Sequence, residues 1–295
     1  GTALGINAGL GNLGVSLMQV LIPFTMTFAL FGTFGGDGLS LPSKDPSASP
    51  TLVYIQNAGL TWVPIILVSV IAAWFGMNNL LTATPNLQGT LSSIFRVSIL
   101  IIMGLVAAGI GLYLLIGLKW NMWLVLIITI CLTLAIMKFF APGELKTNLS
   151  KQFSIFNNKH TWLMTILYIM TFGSFIGYSS AFPKLIQDIF GTLPDGTPNP
   201  NAPNPLAYAW LGPLVGSLIR PVGGWLSDKV KSGAKVTQWT TAAMVICAFG
   251  VAYFIVQAKQ SPSPETFFFP FLILFMLLFV TTGIGNGSTF RSIPI

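Results

Sequence analysis

Apolar residues along this chain gather into long unbroken runs, not into the alternation of half-buried strands or the one-sided stripes of soluble helices. About 20 consecutive apolar residues cross a bilayer as a helix. Eight stretches meet that length: 5–31, 58–77, 97–118, 120–138, 161–182, 206–226, 236–256 and 267–290. The first and last are glycine-rich at one end and less uniformly apolar. The connections are polar and contain proline. The two longest are Gly32–Asn57 and Pro183–Pro205, and the run TLPDGTPNPNAPNP within the second has no apolar periodicity, which predicts a solvated loop. Almost nothing separates 97–118 from 120–138, so this pair reads as a tight helical hairpin.

Composition turns that pattern into a class. The 295 residues are 53% hydrophobic and only 7% charged, with a mean hydropathy of +0.78. A soluble domain carries about 25% charged residues. Fourteen Lys and Arg with seven Asp and Glu cannot clothe a water-facing surface of this size. A soluble enzyme is excluded, and an all-α polytopic membrane protein is implied. The net charge of +7 does not point to nucleic acid, because the cations are scattered between apolar runs and form no basic stripe. Their placement instead gives an orientation. Arg96, Lys138, Lys146, Lys151, Lys159, Lys229, Lys231, Lys235 and Arg291 fall in one set of loops, and Lys44, Lys119, Lys184 and Lys259 in the other. The richer set belongs in the cytoplasm. The first helix then runs outward and both proline-rich loops face outside.

The chain opens without Met in a segment that already reads as helix, and it stops straight after an apolar run. It is expected to be an internal piece of a longer protein. Cys131 and Cys247 sit inside apolar runs and read as packing residues. The single histidine, His160, cannot supply the axial pairs of a haem-bearing membrane subunit. No phosphate loop of the Walker type, metal-ligand cluster or nucleophile with a nearby base occurs, so no cofactor or metal is expected.

The candidate chemistry is concentrated at a few positions. All seven acidic residues lie in loops or at helix ends, whereas Arg220 sits within the sixth stretch. It is eight residues before Asp228, about 12 Å along a helix. An intramembrane Arg costs at least ~2.5–3.5 kcal/mol and normally faces the bundle interior with a partner. No carboxylate on any span can serve here. Three readings stay open: an anion arriving from outside, a partner on a helix beyond this chain, or snorkelling to the headgroups. Gly216, Gly223 and Gly224 around it favour close helix packing over lipid.

Gly5, Gly9, Asn12, Ser16 and Gln19 recur at spacings of four and three on one face of the first span, which fits either a polar lining or ordinary helix packing. In the fifth span Tyr168 and Phe172 are one turn apart, with Gly173 and Gly177 beside that face, again as site lining or as packing. The last span ends with Gly283, Asn286 and Gly287, which line a pathway or join helices.

Taken together these segments resemble a known family. GINAGLGNLGVSLMQ looks like the nitrate signature helix of the nitrate/nitrite porters, the NarK-type branch of the major facilitator superfamily. WVPIILVSVIAAWFGMNN, KHTWLMTILYIMTFGSFIGYSSAFP, GPLVGSLIRPVGGWLSDKV and TTGIGNGSTFRSIPI resemble that family's later helices in order. The likeness leaves out about residues 80–155. It implies a partial major facilitator fold, in which twelve helices form two halves of six around a cavity. This chain would supply the last two helices of the N-terminal half at 1–95 and an inserted hairpin with a cytoplasmic linker at 96–160. Residues 161–295 would supply the first four helices of the C-terminal half. The remaining helices, one bearing a second substrate Arg, would come from elsewhere in the full-length chain.

The resemblance also implies roles. Arg220 matches the substrate Arg of the second half, Asn12 the signature Asn, Tyr168 a hydrogen-bonding Tyr and Phe172 the next aromatic. GGWLSDKV resembles the superfamily's cytoplasmic gating motif, in which Asp228 would contact a helix end or a basic residue and latch the outward-open state. The substrates would be nitrate and nitrite, flat anions suited to the guanidinium fork. They would be carried across the inner membrane by rocking around a fixed site. Exchange is expected over proton symport, since the spans hold no titratable carboxylate. The competing class is a major facilitator carrier of another small or organic anion. A membrane enzyme is disfavoured, because catalytic clusters are missing.

Overall fold

A computed structural model describes residues 1–41, 51–77 and 89–292. Lys44, Asp45 and the ends of two of the family-like motifs (78–79 and 293–295) lie outside the described residues. The helices are α1 (Thr2–Thr25), α2 (Asn57–Leu60), α3 (Trp62–Gly76), α4 (Thr90–Leu112), α5 (Met122–Phe140), α6 (Gly143–Phe153) and α7 (Lys159–Tyr168). They continue as α8 (Ser174–Phe190), α9 (Pro205–Tyr208), α10 (Leu211–Leu218), α11 (Arg220–Val230), α12 (Gly233–Gln260) and α13 (Phe268–Thr289). Strands β1 (Leu39–Leu41) and β2 (Thr51–Val53) pair antiparallel with Leu39 opposite Val53, within the connection read from sequence only as polar. Among the described residues seven helical segments are long and apolar enough to cross a membrane. The protein is an all-α polytopic membrane protein.

Two departures from the expected spans trace to prolines. The stretch 206–226 is divided among the short α9 and the helices α10 and α11, the last two joined at Ile219. Pro221 has no N–H to offer the carbonyl of Ser217 four residues back, so the ladder is interrupted there. The fifth span was expected to end near Phe182, yet α7, a π-turn over Ile169–Gly173 and α8 run on to Phe190. Pro183 strands the carbonyl of Ser179, and Gln19 of α1 donates to that oxygen at 3.0 Å. A neighbouring helix thus supplies the donor that proline removed, and the helix survives.

The chain divides into two compact units, Gly1–Ala73 with Met164–Ile295, and Trp74–Leu163. In the larger unit α8, α12 and α13 share an aromatic core. Phe182 stacks on Phe275 at 4.6 Å, and Phe175 meets Phe279 edge-on at 6.0 Å. Buried Cys247 belongs to this core, whereas Cys131 of the smaller unit is exposed. The loop after α8 is less solvated than its composition suggests: Asn199 is buried and donates to the Phe190 carbonyl and to Glu265.

In the smaller unit α4 and α5 form the hairpin, turning through Lys119 at φ 53°. Their outward residues are apolar and exposed, as in helices solvated by lipid tails.

Candidate functional site

The site is built where α1 and α13 close on the junction of α10 and α11. The polar face of α1 does the approaching. A Cβ at Gly5 would lie 3.0 Å from the Arg220 carbonyl oxygen, and one at Gly9 would lie 2.8 Å from that of Ser217. Two turns further on, Ser16 donates to the Trp210 carbonyl at 2.8 Å. From the other side, a Cβ at Gly287 of α13 would strike the Arg220 carbonyl, and one at Gly283 the Gly216 carbonyl. Gly223 is held equally close to Ile284, and Gly224 to Gly1. At Gly9, Gly223, Gly224, Gly283 and Gly287 backbones meet with no room for a methyl group, and at Gly5 the fit is tight.

This clasp fixes the Arg220 backbone, and its side chain is fully buried. The guanidinium carbon lies 4.5 Å from the Phe175 ring centroid and 5.2 Å from that of Phe172. The two rings are nearly parallel, with centroids 6.3 Å apart. A desolvated cation over aromatic faces gains roughly 2 kcal/mol, which offsets part of its burial. Nη1 donates to the Ala8 carbonyl at 3.3 Å, an oxygen that also accepts from Asn12 Nδ2 at 2.7 Å. Nε and Nη2 have no hydrogen-bond partner, and no carboxylate pairs with Arg220 among the described residues. Nε and Nη2 are the edge of a guanidinium that presents two parallel N–H groups. That edge fits a flat oxyanion.

The residues expected at the site are therefore not equally placed. Phe172 touches Arg220, and Asn12 joins it through the shared Ala8 carbonyl. Tyr168, 38% exposed, packs on Phe172 at 5.1 Å and on Phe290 at 6.5 Å, so it stands one ring away. Asn286 is fully buried with neither side-chain atom partnered. Gly177 has nothing within van der Waals range of a Cβ and plays no part in close packing.

Two residues escaped the sequence reading. Phe175 follows Phe172 by three positions, a spacing that marks a shared helix face. Ser217, three positions before Arg220, is buried with its hydroxyl unpartnered. The π-turn at Ile169–Gly173 lies directly between Tyr168 and Phe175, and such turns recur at functional sites.

At the far end of α11, Asp228 accepts from the Thr2 backbone N–H at 2.9 Å and from the Thr2 hydroxyl at 2.7 Å, and it pairs with Arg291. It therefore ties Thr2 of α1 to Arg291, which follows α13. The hydrogen bonds from Thr2, with Arg291 beside it, hold its carboxyl well below the usual carboxylate range.

No family model matches the chain. A probable nitrate/nitrite antiporter, NarK2, of Thermus thermophilus is 32% identical over 295 residues, covering 100% of this chain and 49% of that protein. The nitrate/nitrite transporter NarU of Escherichia coli strain K12 is 30% identical over 295 residues, covering 100% of this chain and 46% of that protein. Over its whole length the chain is similar to nitrate/nitrite porters. The nitrite extrusion protein of Bacillus subtilis strain 168 matches 48% of the chain at 25% identity. The chain spans about half the length of the Thermus thermophilus and Escherichia coli relatives. It is a multi-pass protein of the bacterial inner membrane.

Proposed function

We propose that the full-length protein moves nitrate, nitrite or both across the cytoplasmic membrane by alternating access, exchanging one anion for the other. The observation that carries this reading is the free Nε/Nη2 edge of Arg220, buried over two phenyl rings and lacking a carboxylate partner among the described residues. An isolated charge away from water is costly. A planar anion that accepts both N–H groups neutralises that charge and completes its hydrogen bonding in one step.

Phe172 and Phe175 keep water from the site and favour a thin, flat guest. Asn12, Ser217 and Tyr168 supply polar groups for the oxygens that Arg220 does not reach. The cargo leaves with its bonds intact, so the reading is of a carrier and not a catalyst. Rocking of the two halves around the occupied site exposes it to each face in turn. An empty site retains its unpaired charge and resists occlusion, which favours exchange; the Thermus relative carries the name antiporter.

The test uses the full-length protein in proteoliposomes. Arg220→Lys keeps a positive charge but loses the fork, and nitrate uptake against internal nitrite should fall about 100-fold. Uptake near the native rate would mean that a point charge suffices and would favour a carrier of another anion. Obligatory exchange fails separately if a pH gradient alone drives nitrate uptake into vesicles lacking internal nitrite.

A further inference from the structure

The smaller unit holds a second basic site, remote in sequence from Arg220 and unused by the carrier reading. The span α5 ends in Lys138, Phe139 and Phe140, and the chain turns through buried Ala141 and Gly143 at φ 48° into α6. Leu145, Leu149 and Phe153 recur every four residues along α6 and form its apolar stripe, with Leu145 buried. Arg96 of α4 pairs with Glu144 in the first turn of α6 and offsets the carboxylate nearest the site.

Between α5 and α6 lies a cavity of about 260 Å³ lined by Lys138, Phe139, Lys146, Leu149, Ser150 and Phe153. Two lysines and a serine line it beside two phenylalanines and a leucine, and no acidic residue is among them. Phe153 continues into an aromatic ladder, stacking with Phe156 at 6.0 Å, which meets Trp162 at 5.8 Å. The Trp162 indole N–H is tied to the Phe156 carbonyl. Aromatic side chains at the end of a span mark headgroup depth, and an amphipathic basic helix lies in the interface plane. The bias of Lys and Arg assigns this end to the cytoplasmic leaflet.

We propose that the α5–α6 cavity is a binding site for the phosphate headgroup of an anionic glycerophospholipid of the cytoplasmic leaflet. Lys138 and Lys146 hold the phosphodiester, Ser150 donates to it, and Phe139, Leu149 and Phe153 cover the start of the acyl chains. Charge favours this occupant over a zwitterionic lipid, and the apolar wall at membrane depth favours a lipid over free phosphate. Basic pockets at the cytoplasmic ends of spans recognise such headgroups by the same physics.

The test is native mass spectrometry of the full-length protein titrated with phosphatidylglycerol, phosphatidylcholine or inorganic phosphate. Phosphatidylglycerol should bind in preference to phosphatidylcholine. Affinity should fall about five-fold for Lys138→Gln or Lys146→Gln alone and about 30-fold for both together. The paired change Lys138→Arg with Lys146→Arg should retain binding, which separates loss of charge from loss of fold. Lys184→Gln, in the larger unit, should change nothing. Equal binding of the two lipids, undiminished binding by the double Gln variant, or displacement of the lipid by inorganic phosphate each overturns the assignment. Nitrate transport is not the readout, so the result stands apart from that of Arg220→Lys.

Discussion

The surroundings of Arg220 and the hairpin α4–α5 are both apolar helical packing, yet they treat polar groups in opposite ways. In the hairpin, Thr129 and Thr133 turn their hydroxyls back to the carbonyls of Val125 and Thr129 in their own helix. Around Arg220, by contrast, Ser217, Asn286 and two guanidinium nitrogens are buried without partners. Every such orphan among the described residues belongs to the larger unit. A helix that only needs to sit in lipid satisfies its polar atoms internally. One that leaves them open in a fixed, glycine-clasped frame is shaped for a guest, because each unmet group costs ~1–3 kcal/mol until something arrives.

The strongest way to break that contrast is to place one methyl group in each region. Gly287→Ala drives a Cβ into the Arg220 carbonyl, whereas Gly104 of α4 has nothing within 4 Å of its Cβ position. The expected cost at Gly287 is about 1–3 kcal/mol of stability, with transport lost alongside. Gly104→Ala should stay within about 0.5 kcal/mol. Thermal unfolding of the two full-length variants in detergent measures both. Equal shifts would mean that the clasp at Arg220 is no tighter than a lipid-facing helix.

A smaller effect is expected at the Asp228 junction. Asp228→Asn keeps the shape but removes the charge that pairs with Arg291 and accepts from Thr2, so the melting temperature at neutral pH should fall. The native carboxyl titrates below its ordinary range, chiefly through the Thr2 hydrogen bonds. Its contribution is therefore complete above the ordinary carboxylate range and is lost only as pH falls through the lowered native value. The gap between native and variant melting temperatures should stay constant across neutral and mildly acidic pH and close in strong acid. A gap that closes at mildly acidic pH would mean that the carboxylate is not held by these partners.

Much of this was legible in the sequence, and the rest failed for local reasons. Long apolar runs located the spans, and the spacing of Gly5, Gly9, Asn12, Ser16 and Gln19 identified the face of α1 that meets α10 and α11. Arg220 stood out because it broke an apolar run. The break at Ile219 and the continuation through Pro183 were not legible, although both involve prolines in apolar runs. Whether a proline ends, splits or merely dents a helix depends on what donor a neighbouring helix brings to the stranded carbonyl. That is tertiary information. Phe175 was missed although it follows Phe172 at helical spacing, because a shared face of aromatics is ordinary packing in a membrane helix until a neighbouring helix brings a cation to it.

The smallest effect is also the one that isolates a single bond. Gln19→Leu removes the donor to the Ser179 carbonyl, while the hairpin helices contain no proline and need no such service. Interhelical hydrogen bonds in membranes average about 0.6 kcal/mol, so Gln19→Leu alone should destabilise by about that amount. Pro183→Ala restores an N–H four residues after Ser179, and in that background the same change should cost almost nothing. The coupling is read from unfolding of the native protein, the two single variants and the double variant. Additive losses would show that Gln19 contributes by packing alone, and α8 would then tolerate its proline without help from α1.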